Sequence, residues 1–272
     1  MAELDLPLII EVEHLEQQLE HENLLLVDLS QPTTYVQYHI PRAVFLDYAW
    51  IVRIEHPRMG LLPDPAQLGH VLSAYGLTPD THVVTYDDEG GGRAARFLWT
   101  LEAAGHKRFS LLNGGLRAWA NEGHKISTDI TFPTPGKYEV KMDFNGVATR
   151  QFILDSLSNA EVKLLDTRSQ AEYSGKKIFA ERGGHIPGAI NIEWTEAMDR
   201  QHDLRLKPSQ ELRQMLESQG ITSDKTVIVY CQTHHRSAHT YIMLRSLGYE
   251  MVKGYPGSWS DWGNEPNTPI EH

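Results

Sequence analysis

One stretch of the chain gathers reactive side chains: VIVYCQTHHRSAHTY, residues 227–241, holds Cys231, His234, His235, Arg236 and His239 in close succession. Cys231 is the only cysteine in 272 residues, so it forms no internal disulfide and is either a buried filler or a reactive thiol. The thiolate is the nucleophilic form. Unpaired N–H groups at the start of a following helix, the helix dipole and Arg236 would all favour it over the thiol. A protonated His234 or His235 would strengthen that field. The histidines also have a plain reading as polar loop filler, in a chain that holds 14 of them. A zinc site of Cys231, His234, His235 and His239 is disfavoured, because a tight loop would have to turn all four side chains to one point.

The elements around the thiol can be read from pattern. A β-branched run ends at Cys231, and Ala238, Tyr241, Leu244 and Leu247 then recur at three-residue intervals up to Gly248, so the cysteine sits in a strand-to-helix turn. At the carboxyl end of a parallel strand such a turn meets the crevice where ligands bind. Throughout the chain, short Val/Leu/Ile runs alternate with amphipathic stretches, which predicts an α/β fold with parallel strands covered by helices on both faces. One helix is well marked: Asp64 caps it, Pro65 suits its first turn, Leu68, Val71, Leu72 and Tyr75 share a face, and Gly76 ends it. Leu212, Met215, Leu216 and Gly220 repeat that pattern.

This recurrence is general. LLLVDLSQPTTYVQYHIPRAVFLD at 24–47 parallels VKLLDTRSQAEYSGKK at 162–177 followed by GGHIPGAINIEW at 183–194. Leu68 and Leu212, Gly76 and Gly220, and Tyr86 and Tyr230 are all separated by 144 positions. A period this long means a duplicated domain, whereas solenoid repeats are far shorter. The expected organisation is one domain over 1–128, a Pro/Gly-interrupted linker over 129–146, and a second domain over 147–272. A net charge of −11 opposes binding to phosphate backbones and anionic membranes, so no nucleic-acid or membrane partner is expected, and any anion site must be local. No apolar run has the length of a membrane span, and no Lys or Arg precedes Arg42, so a targeting segment is not expected and a cytoplasmic location is the default.

With LLDTR at 164–168, GGHIPGAIN at 183–191, VIVYCQTHHRSA at 227–238 and the endings GGLRAW and GSWSDW, the chain resembles the tandem-domain rhodaneses, the thiosulfate and mercaptopyruvate sulfurtransferases. The likeness covers nearly the whole chain and is closest to bacterial members with a CQTHHR loop. It implies two rhodanese-like α/β domains, the second catalytic and the first degenerate and structural, with no cofactor and no metal. Asp87 stands where Cys231 stands in the other copy, and Ser30 where Arg168 stands, so the first copy lacks both a nucleophile and its positive neighbour.

The implied chemistry has two steps: Cys231 takes a sulfane sulfur from a small anionic donor such as thiosulfate, and an acceptor removes it from the persulfide. The acceptor is cyanide, a thiol or a protein partner. Gln232, Thr233, His234, His235, Arg236 and Ser237 are expected to hold the persulfide and donor. Arg168, Arg182 and Trp194 are further candidates at the crevice, with Asp166 in support; a structural ion pair of Asp166 with Arg168 and a solvated Arg182 are the plain alternatives. His185 is read as a brace for its turn. A cysteine phosphatase is the weaker reading, since its familiar pattern would put the arginine at position 237, which is Ser237, and the shorter loop here suits one sulfur better than a phosphate. Two departures stand out. The thiosulfate-specific members resemble CRKGVT and the mercaptopyruvate-specific ones CGSGVT in this loop, and Glu172 occupies a position where arginine is usual, so one anion contact is missing or replaced.

Overall fold

The computed structural model describes residues 4–272. The described residues form two compact units, neither of them one continuous segment: residues 4–51, 63–143 and 199–206 make the first, and 52–62, 144–198 and 207–272 the second. Among the described residues no helix is long and apolar enough to cross a membrane.

The first unit is built on a five-stranded parallel sheet, in the order Ile9–Ile10, Phe109–Leu112, His82–Tyr86, Leu24–Asp28, Val44–Phe45. The second has a four-stranded parallel sheet, in the order Val252–Gly254, Thr226–Tyr230, Val162–Asp166, Ile190–Asn191. A parallel bridge from Val147 to Gly254 stands where the first unit has its edge strand Ile9–Ile10. Central strands are buried almost throughout: all five residues of His82–Tyr86, and all but Thr226 of the strand ending at Tyr230. That burial is what helices on both faces of a parallel sheet impose, and it explains why these strands read as unbroken apolar runs.

The helix over Pro65–Ala74 forms as its sequence predicts. The Asp64 carboxylate accepts from the Ala66 N–H at 2.9 Å, Leu68, Val71 and Leu72 are buried, and Gly76 follows in the left-handed region at φ +80°. Helix Ser209–Ser218 buries Leu212 and Leu216, while Met215 is half-buried. Helix Arg236–Ser246 is buried from Ser237 to Leu244 around its whole circumference, His239 and Thr240 included, so its apolar stripe understates its burial.

The repeat is one of contacts as well as letters. Asp28 pairs with Tyr86, and Asp166 with Tyr230, in the same register. The Tyr86 hydroxyl accepts the Ile40 N–H at 3.1 Å, and the Tyr230 hydroxyl accepts the Ile186 N–H at 3.1 Å. In each His-Ile-Pro turn the histidine stacks on a tyrosine four or twelve residues earlier: His39 on Tyr35 at 4.0 Å, and His185 on Tyr173 at 3.7 Å, with Nδ1 on that tyrosine's carbonyl. His185 is thus a brace. Replacing Tyr230 with Phe keeps the ring and leaves a buried Ile186 N–H without its acceptor, so urea unfolding should show a loss of about 1–3 kcal/mol, and Tyr86→Phe a similar loss. A change below about 0.5 kcal/mol in both would show that these two bonds do not tie the turns to the sheet.

Candidate active site

Cys231 leaves the sheet at the end of Thr226–Tyr230, and the helix beginning at Arg236 follows after four residues. The thiol is 1% exposed. Burial pushes it up, but the Arg236 charge, the Ser237 hydroxyl and backbone hydrogen bonds at Ser237 and Thr233 outweigh burial and bring it down to about 7. At neutral pH it is therefore about half thiolate.

The donors converge because the other sides of their peptides are tied down. The N-terminal turn of helix Ser258–Trp262 donates to the loop: Trp259 N–H to the Cys231 carbonyl and Ser260 N–H to the Gln232 carbonyl, both at 3.0 Å. The Cys231 N–H goes to Ser258 Oγ at 3.2 Å, and that hydroxyl donates to the Tyr255 carbonyl at 2.7 Å. A trans peptide points its N–H opposite its carbonyl, so holding the Gln232 carbonyl outward turns the Thr233 N–H inward, onto the sulfur. The GSWSDW ending is thus a mount for the reactive loop.

His234 lies in the left-handed region at φ +57° and is fully buried, with Nδ1 at 2.8 Å from Ser237 Oγ. Since the Ser237 hydroxyl donates to the sulfur, the His234 Nδ1–H must donate to that hydroxyl, which makes the His234 side chain a support for Ser237. His235 and Trp194 lie together at 6.1 Å, and the Trp194 ring meets His239 edge-on at 5.5 Å. Burial, with His235 nearby, lowers His239 to about 4, so it is neutral at physiological pH. Gln232 Nε2 donates to the Phe179 carbonyl at 3.1 Å, fastening the loop to the segment before Arg182. Among the described residues no three His, Cys, Asp or Glu side chains converge as metal ligands.

Arg236 reaches the sulfur and also forms a bidentate pair with Glu172, both bonds at 2.8 Å. Glu172 closes a capping box with Ser169, and although burial opposes its charge, Arg236 and Ser169 hold it down at about 2. The position expected to have lost an anion contact instead carries the residue that orients the loop arginine. Two other arginines lie away from a donor, Arg168 in the structural ion pair that is its alternative reading and Arg182 in neither of its expected places. Arg168 is 1% exposed, paired with Asp166 at 2.6 Å, bonded to the Gly184 carbonyl and stacked 4.4 Å from the Trp259 ring, so it stands behind the loop's mount and does not face a donor. Arg182 donates to the carbonyls of Trp262, Gly263, Glu265, Pro266 and Thr268, closing the C-terminal segment with every N–H a donor would need.

The first unit meets the same geometry without a thiol. One oxygen of the Asp87 carboxylate accepts the N–H groups of Glu89 and Gly91, and the other those of Arg93 and Ala94, at 2.7–3.0 Å. Burial and the neighbouring Glu89 raise Asp87 to about 6 despite these bonds. Its loop is filled by its own side chain. At Asp28, where the second unit has a buried ion pair, Ser30 donates its N–H at 2.7 Å but brings no positive charge, and burial raises the carboxyl.

A family model, Rhodanese-like domain, matches residues 11–122 and 149–265. The thiosulfate sulfurtransferase of Pseudomonas aeruginosa is 43% identical over 98% of both chains, and that of Azotobacter vinelandii 43% identical over 98% of this chain and 97% of its own. The sulfur carrier protein TtuD of Thermus thermophilus is 33% identical over 96% of this chain and 95% of its own. Among solved structures, an anaerobic ergothioneine biosynthesis enzyme from Chlorobium limicola superposes with a TM-score of 0.86 at 22% identity, covering 97% of this chain and 70% of that one, a likeness of fold alone.

Two measurements check this geometry. Alkylation of Cys231 by iodoacetamide should reach half its limiting rate near pH 7, and Arg236→Gln should move that midpoint upward by about one unit or more, slowing the reaction at pH 7 by about fivefold or more; an unmoved midpoint would remove Arg236 from the thiolate's support. Glu172 has its folded value below its usual 4.5, so its stabilisation is complete above pH 4.5 and is lost as pH falls toward 2. Urea unfolding of the wild type should weaken across that window more steeply than that of Glu172→Gln, and parallel slopes would contradict the pairing.

Proposed function

Since the chain belongs to the rhodanese family, enzymes that transfer sulfur through a cysteine persulfide, we propose that Cys231 takes the sulfane sulfur of thiosulfate and passes it to cyanide or a thiol. The observation that carries this reading is a buried thiol brought down to about 7 by loop donors that all face its sulfur. The thiolate attacks the outer sulfur of thiosulfate; the new S–S bond forms as the old one breaks, and sulfite leaves with the bonding pair. The persulfide charge then sits one atom further out, within reach of the same N–H groups. Cyanide or a thiolate attacks that outer sulfur, and Cys231 departs again as thiolate. Gln232, Thr233, His235 and Ser237 surround the group that is transferred, and Trp194 lies beside His235.

Phosphate chemistry is less well served. Clamping a phosphate takes both arms of an arginine, and both arms of Arg236 are held by Glu172. The same pairing favours a second reading, a persulfide carrier that hands its sulfur to a protein thiol: with Arg236 matched by Glu172, the loop has less charge to offer a dianionic donor and needs less for a persulfide. The 33% identical relative named a sulfur carrier supports it.

After incubation with thiosulfate, the intact protein should gain the mass of one sulfur, and Cys231→Ser should gain none; loading of the serine variant would contradict the assignment. Steady-state rates with thiosulfate and cyanide should follow ping-pong kinetics. Turnover with dithiothreitol or a protein thiol at rates well above those with cyanide would favour the carrier reading. Trp194 emission should fall on loading, and an unchanged spectrum would place the ring away from the transferred sulfur.

A further inference from the structure

The hairpin of Arg53–Glu55 and Arg58–Leu61 comes from the copy of the repeat that has no nucleophile, yet it packs within the unit that carries Cys231. Its returning strand meets the mount of the reactive loop. The Met59 N–H donates to Ser260 Oγ at 2.9 Å, and that hydroxyl gives its own proton to the Gly257 carbonyl at 2.7 Å. Ser260 is 2% exposed, and its backbone N–H is the donor that holds the Gln232 carbonyl. One residue along the hairpin, Gly60 lies at φ +69°, in the left-handed region that side-chain-bearing residues avoid. A β-carbon there would sit 2.0 Å from the Thr233 carbonyl oxygen and 2.8 Å from its carbon, so the hairpin backbone lies flat on the loop with no room for a methyl group.

Both peptides that flank the Thr233 α-carbon are therefore held by neighbours within the unit. The peptide before it has its carbonyl on the Ser260 N–H, and the one after it has its carbonyl against Gly60. A trans peptide couples the Gln232 carbonyl to the Thr233 N–H, and with the Thr233 carbonyl held as well the residue cannot turn between the two, so the Thr233 N–H keeps its direction.

We propose that Gly60 and Ser260 are positioning residues for the sulfur-bearing loop, and that the hairpin 53–61 is the clamp that keeps the Thr233 N–H aimed at the Cys231 sulfur. The inference rests on Cys231 being the reacting group. It gives the nucleophile-free copy a part in the chemistry: its hairpin completes the catalytic unit. A side chain at residue 60 moves the Thr233 peptide and weakens a donor that serves the thiolate and the persulfide alike. Loss of the Ser260 hydroxyl unties the hairpin from the mount while leaving the Ser260 N–H in place, so its effect has the same direction and a smaller size.

The test uses the full-length protein. Gly60→Ala, Ser260→Ala and Ser260→Thr are compared with the wild type by the pH profile of iodoacetamide alkylation and by the rate of sulfur loading from thiosulfate, with thermal unfolding as the check on folding. Gly60→Ala is expected to move the alkylation midpoint upward and slow alkylation and loading at pH 7 by about tenfold, with alkylation converging on the wild type at high pH, where every thiol is ionised. Ser260→Ala should slow both by about threefold, and Ser260→Thr, which keeps the hydroxyl, should recover most of that. A role confined to stability would lower the unfolding temperature and leave the profiles of the folded protein superimposed on the wild type, which would overturn the proposal. If Gly60→Ala does not fold, the serine pair decides: a Ser260→Ala midpoint equal to the wild type's overturns it. A wild type that takes up no sulfur while the variant midpoints still shift would sink the sulfur-transfer reading and leave the clamp standing.

Discussion

A peptide unit cannot turn its N–H toward a sulfur without turning its carbonyl away, and the second unit is organised around that constraint. Carbonyls at Cys231 and Gln232 would be buried orphans if the loop alone had to bend around the thiol. Helix Ser258–Trp262 spends its first-turn N–H groups on them, so the cost of convergence is met by a neighbour that itself needs acceptors. The buried Asp166–Arg168 pair follows from the same need. It places a guanidinium on the Trp259 ring, fixing the element whose N–H groups do the holding.

The two copies of the repeat answer one electrostatic problem in two ways. Inward-facing amides in a buried loop demand an anion, since unmatched donors there cost about 1–3 kcal/mol each. In the first unit the Asp87 carboxylate meets four of them permanently, and the loop has nothing left to bind. In the second unit the anion is a thiolate, which meets the same demand and can also be extended by one atom. The first copy thus keeps its loop without a thiol, because the Asp87 side chain supplies the charge that the loop geometry requires.

What was legible in the sequence is what local pattern controls. The strand leading to Cys231, the helix carrying Ala238, Tyr241 and Leu244, the Asp64 cap, the tandem repeat and the bracing role of His185 all follow from residue type at short range, and the matched register of Asp28 with Tyr86 and Asp166 with Tyr230 is the spatial form of the repeat. Arg168 and Arg182 were harder, since a position near a crevice does not say which way a long side chain turns, and both turn to backbone carbonyls or a buried carboxylate. Glu172 was visible only as a departure from a pattern; its partner is 64 residues away. The hairpin 53–61 gave no signal of its place, because its partner Ser260 lies 201 residues along the chain, and only the glycine at residue 60 marks a close approach.

The Glu172–Arg236 pair also bears on how the loop treats charge. An unmatched arginine beside the sulfur would attract an anionic donor strongly and would hold the anionic leaving group just as strongly, for uniform binding of both accelerates nothing. Glu172, held at about 2, is charged at every pH at which the thiolate forms, and His239, lowered to about 4, adds no positive charge. Discrimination therefore falls to the fixed N–H dipoles, which bond to whatever atom occupies the centre of the loop. They favour charge on the sulfur bound to Cys231 over charge elsewhere on the donor, and so favour the state in which the sulfur has been transferred and the leaving group has gone.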